Sequence, residues 1–246
     1  MIPGTRNVSA DADNYLTAYL RIKFILENPN SVKTIFIVFS PDIMGSEADS
    51  RLYEKWLMAG KVPQYFPLYS YEEWRSYVSF DAAELLHNVM GRPFRVLLNA
   101  FSQEMFCSQL GGYRIALGKN LRESITTVRE RLKKTPSAAS VQPKRYGNKV
   151  SKIYLEKIRT YCNERGIRLI GIAVPNYLAN EVFDLNSYRE TLSKAYSDLE
   201  VWDYLEMKLP DDCWQDINHL NRWGAEIFSR ELAERMKREG IVPADS

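Results

Sequence analysis

Residues 14–39, NYLTAYLRIKFILENPNSVKTIFIVF, indicate the fold class of this chain. Apolar side chains recur at helical spacing over residues 15–28, and Pro29 then stops the helix because proline has no backbone N–H. Residues 32–39 are β-branched, aromatic and almost continuously apolar, which predicts a strand buried on both faces, as in a parallel sheet. With a brief strand predicted at residues 6–8, the segment forms a βαβ unit.

Helix and strand continue to alternate along the rest of the chain. Further strands are predicted at 169–174 and 201–205, and residues 95–101 fit either a strand or a buried helical turn. Further helices are predicted at 51–58, 70–90, 121–134, 150–165, 182–199 and from 221 onward. This order predicts an α/β fold with a doubly wound, mostly parallel sheet flanked by helices. In such sheets the reactive groups gather at the carboxyl ends of the strands.

Composition limits the classes of partner. The 246 residues fit one large domain or two small ones, and we predict a single domain with a mobile loop at 135–149. The formal charge of +2 gives no electrostatic argument for nucleic acid or for an anionic membrane. The chain contains no run of eighteen apolar residues and no basic-then-apolar signal sequence, so we predict neither a membrane span nor an export signal within it.

The cysteines and histidines give little support for a metal centre. Cys107, Cys162 and Cys213 are far apart, and they fit one disulfide with a free thiol as well as three thiols. There are two histidines and no HExxH pattern, so no metal and no cofactor is predicted. His87 lies in the last turn of a predicted helix, where its simplest role is a charge partner of the helix C-terminus.

The other histidine, His219, follows Asp216 by three residues and directly precedes a helix that Asn221 can cap. A carboxylate at this spacing can hold one imidazole tautomer and so leave the other ring nitrogen able to accept a proton. The pattern therefore suits an acid–base relay. The alternative is a polar turn with a solvated histidine and a capping aspartate.

Residues 216–229, DINHLNRWGAEIFS, resemble the last block of the SGNH (GDSL-like) hydrolases, in the cell-envelope branch that has D-x-x-H-L-N-x-x-G-A-x-x-F-S. The resemblance implies that His219 is the general base and that Asp216 orients it. Residues 7–15, NVSADADNY, resemble the second block, which supplies an oxyanion-hole amide; Ala12 stands where the family usually has glycine. The third block normally ends in asparagine, and its place here offers Ser40 or Asp42.

One element of the family pattern does not occur. The nucleophilic serine lies in a G-[DN]-S block some tens of residues before the second block, and residues 1–6 hold no such sequence. We therefore expect an N-terminally truncated member that lacks its first strand. By chain position, Ser9 and Ser40 are the nearest serines that could replace the nucleophile. The family is typically exported or attached to the cell envelope.

The resemblance implies a serine esterase, an O-acyl (acetyl) hydrolase or an acyltransferase that acts on a carbohydrate or cell-envelope ester. The expected substrate is a small-molecule or carbohydrate ester, no nucleic acid is involved, and this chain by itself is expected to be inactive. One alternative is a non-catalytic carbohydrate-binding or scaffold protein with the same fold. A third reading is a plain α/β domain in which the D-x-x-H pattern only caps a helix.

Overall fold

The computed structural model describes residues 4–8, 14–44, 61–62, 65–90, 149–177, 179–215 and 219–243. Its strands are β1 (Thr34–Val38), β2 (Arg168–Ala173) and β3 (Glu200–Asp203). Its helices are α1 (Tyr15–Glu27), α2 (Pro41–Met44), α3 (Tyr71–Met90), α4 (Lys149–Asn163), α5 (Ala179–Val182), α6 (Leu185–Ala195) and α7 (Arg222–Arg238). Two 3-10 turns, Phe66–Leu68 and Asp211–Cys213, complete the named elements.

The three described strands form one parallel sheet in the order β1-β2-β3. Ile35 pairs with Leu169, and Gly171 pairs with Val201. The chain is therefore a mixed α/β protein with a parallel sheet, as the alternation of helix and strand predicts. The expected loss of a first strand stays a prediction, because the described residues do not test it.

Helices pack on both faces of this sheet because successive strand residues point to opposite sides. On one face, Ile37 joins a core with α1, α4 and α6, and Leu169 and Val201 pack against that core. On the other face, Ile170 and Trp202 pack with Met236 of α7. The cluster on the α7 face is smaller and lies mainly on β2 and β3. Consequently the end of β1 is less covered than predicted, and Val38 is 39% exposed.

Helix α1 begins where its local sequence predicts. Asn14 and Thr17 form a reciprocal capping box, in which the Asn14 side chain accepts from the Thr17 amide at 2.9 Å. At the other end, the Asn28 side chain donates to the Phe24 carbonyl at 2.6 Å, beyond the last helical residue. The Tyr15 hydroxyl donates to the Val38 carbonyl at 3.2 Å, which holds the start of α1 against the carboxyl end of β1.

One predicted element is wrong, and one predicted helix begins later than expected. Residues 6–8 have no regular structure, because a short polar segment lacks the apolar run that a buried strand needs. The prediction that 182–199 is mostly helix is confirmed by α6, which begins at Leu185 because Asp184 caps it by accepting from the Ser187 amide at 3.0 Å.

The predicted helices 51–58 and 121–134 and the segment 95–101 lie outside the described residues. The loop predicted at 135–149 also lies outside them, except for Lys149, which begins α4. The single-domain prediction for residues 1–246 is likewise left as a prediction.

Candidate functional site

Ser40 lies immediately beyond the carboxyl end of β1. The preceding residue, Phe39, donates its amide to the Ile172 carbonyl at 2.8 Å and so extends the pairing past the strand. Ser40 is buried, and its carbonyl accepts from the amides of Ile43 and Met44 at 3.2 Å each, which starts α2. The structure thus locates Ser40 at the sheet edge expected for a site, while its role as an oxyanion donor stays a prediction.

The segment that leads to His219 is attached beside the carboxyl end of β2. Tyr177 lies four residues beyond β2, and its ring meets the Trp214 ring edge-on with centroids 5.4 Å apart. The Tyr177 hydroxyl also donates to the Asp211 carboxylate at 3.3 Å. Tyr177, Cys213 and Trp214 are buried together in a small apolar cluster. Tyr177 was not predicted as a site residue; its closeness in sequence to β2 and to Pro175 was the available signal.

Residues 214–220, here called the His219 loop, are closed at their base. Trp214 and Leu220 form an antiparallel bridge, and the Gln215 amide donates to the His219 carbonyl at 2.9 Å. His219 is exposed near the end of this loop. Asp216 is outside the described residues, so its orientation toward His219 stays a prediction. Ala12 also lies outside the described residues.

Asn221 ends the loop and starts α7. Its side-chain oxygen accepts from the amides of Trp223 at 3.0 Å and Gly224 at 3.1 Å, which confirms the predicted helix cap. Its side-chain nitrogen donates to the Asp212 carbonyl and lies 3.5 Å from the Trp214 carbonyl oxygen. The backbone amide of Asn221 donates to the Cys213 carbonyl at 3.0 Å.

The first turn of α7 packs closely on the 3-10 turn Asp211–Cys213. A Cβ atom on Gly224 would overlap the carbonyl oxygen of Cys213, so only glycine fits at this position. Cys213 is a buried free thiol, as is Cys162. Burial, together with the neighbouring Asp212 carboxylate, raises the pKa of the Cys213 thiol. A thiol with a raised pKa is a poor nucleophile, so Cys213 supports the packing of the turn rather than chemistry.

A buried carboxylate lies elsewhere, between α3 and α4. Glu73 is 2% exposed and accepts from the Ser70 amide at 2.8 Å, from the Ser70 hydroxyl, and from the Tyr154 hydroxyl at 2.9 Å. Burial raises the pKa of the Glu73 carboxyl, but the hydrogen bonds from Ser70 and Tyr154 outweigh burial and hold that pKa below its ordinary value. Glu73 therefore works as a charged capping residue that also joins two helices.

A groove of about 520 Å³ opens at the carboxyl end of β3. Its lining residues are Arg189, Asp203, Tyr204, Glu206, Met207 and Glu231. Arg189 donates to the Asp203 carboxylate at 3.1 and 3.2 Å and to Glu206 at 2.6 Å, so the groove's guanidinium is already paired within the protein. His87 lies in the last turn of α3, as the sequence predicts.

Comparisons with protein-family models, with curated proteins and with solved structures find no match for this chain. The likeness to the SGNH hydrolases therefore depends on residues 7–15 and 216–229 alone. Within the described ranges, no three His, Cys, Asp or Glu side chains are grouped so that they could hold a metal ion. In the same part of the chain, no helix combines the length and the apolar character needed to cross a membrane.

Proposed function

We propose that this chain provides the acid–base part of an SGNH-type site for ester hydrolysis or acyl transfer. In this proposal His219 is the general base, Asp216 orients its imidazole, and Ala12 and Ser40 are candidate oxyanion donors. The observation that supports it is the position of His219, which is exposed in a closed loop tied through Trp214 and Tyr177 to the carboxyl end of β2.

The chemistry follows from the properties of imidazole. A serine hydroxyl attacks the acyl carbonyl while His219 takes the hydroxyl proton, and hydrogen-bond donors stabilise the negatively charged oxygen that forms. His219 then gives the proton to the leaving alkoxide, which departs as an alcohol and leaves an acyl-enzyme. Water or a second alcohol attacks the acyl carbonyl while His219 takes its proton, and His219 returns that proton to the serine oxygen as the acyl–serine bond breaks. The proposed substrate is a carbohydrate or other cell-envelope ester, by resemblance to the family.

The relay is tested by 15N NMR of the two histidine rings in the unmodified chain and in Asp216→Asn. If the carboxylate faces the imidazole, its removal changes the ring-nitrogen resonances of His219, because the ring loses a charged hydrogen-bond acceptor. His87 serves as an internal reference and its resonances should not change. Unchanged His219 ring resonances in Asp216→Asn would exclude the relay.

Turnover is measured with p-nitrophenyl acetate for residues 1–246 and for the longest in-frame product of the gene, side by side. Residues 1–246 contain no G-[DN]-S block, so we expect their rate to equal that of His219→Ala. Since free imidazole hydrolyses activated esters slowly, His87→Ala is the matched control. Turnover that depends on His219, together with labelling of Ser40 by a fluorophosphonate probe, would instead assign the nucleophile to Ser40.

The absence of a G-[DN]-S block from these residues favours a second candidate, a non-catalytic carbohydrate-binding or scaffold protein. That protein would bind an O-acetylated oligosaccharide without releasing acetate. A fluorophosphonate probe separates the two functions, because it labels an activated serine and leaves a binding protein unlabelled.

A further inference from the structure

We propose that Asn221 is a positioning residue that keeps the His219 loop closed, in addition to capping α7. The consequence of this role for catalysis rests on the proposed function, but the effect of Asn221 on the loop does not. Asp216 and His219 both lie in this loop, between the carbonyl groups that the Asn221 side chain contacts and Asn221 itself. One side chain therefore links the entry of the loop to its exit.

The two ends of the carboxamide have different tasks. The oxygen accepts from two amides in the first turn of α7, those of Trp223 and Gly224. The nitrogen reaches back across the loop to the Asp212 carbonyl and lies 3.5 Å from the Trp214 carbonyl oxygen. Those carbonyls belong to the segment that Tyr177 holds beside β2. The sheet edge, the loop and the helix are thus joined through Asn221.

Capping alone does not explain why asparagine occupies this position. Asparagine, aspartate and serine are nearly equivalent helix caps because each offers an oxygen acceptor. Among them, only asparagine combines that acceptor with an NH₂ donor in one planar group. An ionised aspartate would direct an oxygen toward the carbonyl of Asp212, where the two would repel. A serine hydroxyl is too short to reach both the α7 amides and the far side of the loop.

The surrounding contacts make the loop sensitive to this one residue. The Cys213 carbonyl accepts from the Asn221 amide and lies against Gly224, so the 3-10 turn cannot shift without disturbing the start of α7. Between these fixed points, the described backbone bond inside the loop is the one from the Gln215 amide to the His219 carbonyl. Loss of the side-chain donor should therefore appear first at Gln215 and at His219.

The test compares Asn221→Asp with Asn221→Ala by amide hydrogen exchange and by histidine NMR. Asn221→Asp keeps the cap, so we expect the Ala225 amide, which bonds to the Asn221 carbonyl in the first turn of α7, to keep its protection. We expect the Gln215 amide to exchange about tenfold or more faster, because the loop opens locally. The His219 imidazole resonances should move, while those of His87 stay. Asn221→Ala should disturb the cap and the loop together.

Unchanged exchange of the Gln215 amide and unchanged His219 ring resonances in Asn221→Asp would overturn the inference, since Asn221 would then act as a cap alone. If Asn221→Asp fails to fold, Asn221→Ser also keeps a helix cap while it removes the side-chain NH₂ donor, and it adds no charge. Asn14→Asp is the matched control, because Asn14 caps α1 and its side-chain nitrogen donates to no described residue. Asn14→Asp should leave the exchange rate of the Gln215 amide and the His219 ring resonances unaltered.

The outcomes also separate this inference from the proposed function. An opened loop in Asn221→Asp, in a protein for which no form hydrolyses esters, would support the role of Asn221 and refute the function. An active longer product whose kcat depends on His219 but is unaffected by Asn221→Asp would refute the role of Asn221 and leave the function standing. An altered pH profile of kcat in that variant would support both.

Discussion

Replacement of Glu73 by glutamine should show how strongly one buried carboxylate joins α3 to α4. Glu73 accepts from the Ser70 amide and hydroxyl and, across the helix interface, from the Tyr154 hydroxyl. Glutamine has nearly the same shape, but its NH₂ group would face one of these donors. The change therefore removes a charge-assisted bond and leaves a buried donor poorly paired, while it creates almost no cavity.

The size of the effect can be worked from these contacts. A hydrogen bond to a charged group contributes about 1.5–3 kcal/mol net to stability. Leaving a buried donor without a partner costs a similar amount. The Lys157 ammonium, 3.7 Å from Glu73, is partly exposed, so screening leaves that pair a small contribution. We expect Glu73→Gln to lower the free energy of unfolding by about 2–3 kcal/mol near neutral pH.

The neighbouring residue provides a matched control. Glu72 pairs with the same Lys157 ammonium at 2.6 Å, but its side chain is 65% exposed. Glu72→Gln should therefore cost no more than about 1 kcal/mol, as is usual for an exposed ion pair. Urea unfolding followed by circular dichroism measures both variants, with the slope of the transition checked for two-state behaviour. Equal costs for the two variants would refute the reasoning.

The pH dependence of the Glu73→Gln effect has a definite sign. The pKa of Glu73 is lower in the folded protein than in the unfolded chain, so its contribution to stability is fully present above the ordinary glutamate pKa of about 4.3. That contribution is lost as the pH falls through the lower, folded pKa. The difference between unmodified chain and Glu73→Gln should therefore be largest near pH 7 and shrink below about pH 4. A difference that stayed constant down to pH 3 would contradict the assignment of the charge to Glu73.

Two further substitutions test the packing around the candidate site. Gly224→Ala should destabilise the protein by about 1–3 kcal/mol, because the new methyl group meets the backbone of the 3-10 turn. Thermal unfolding measures the change. Ser229 is exposed on the same helix, so the control Ser229→Ala should change stability by less than about 0.5 kcal/mol. Tyr188→Phe removes the buried hydroxyl that donates to the Phe39 carbonyl at 2.5 Å and should cost about 1–3 kcal/mol. Tyr71→Phe, at a residue that is 81% exposed, should be nearly neutral, and equal effects of the two tyrosine changes would count against the buried bond.

The fold was predictable where local sequence and burial agree. Residues 32–39 and 169–174 are short apolar runs; β1 lies inside the first, and β2 begins one residue before the second and ends within it. Helix ends with a side-chain cap, such as Asn221, were also predictable because the cap acts on amides within three residues. Most of the region 182–199 is helical, as predicted, but the helix begins later than predicted because apolar spacing continues across Asp184, whose side chain caps the helix start.

The candidate site was only partly predictable. The locations of Ser40 after β1 and of His219 before α7 follow from chain order, since both come directly after or before a predicted element. The contact of Tyr177 with Trp214 depends on how the loops after β2 and β3 meet, which no local pattern encodes. The bond between Glu73 and Tyr154 joins residues 81 positions apart, and helical spacing within either helix carries no information about such a partner.

The parallel pairing of β1 with β2 has a consequence during protein synthesis. Thr34 pairs with Arg168, so this edge of β1 has no partner until the ribosome has made most of the chain. At about 5–20 residues per second, the delay is on the order of ten seconds. Throughout that time an apolar strand edge is exposed to other nascent chains, which is the condition that favours misassociation. Production of this protein should therefore benefit from slow induction at low temperature and from chaperones that bind extended apolar segments.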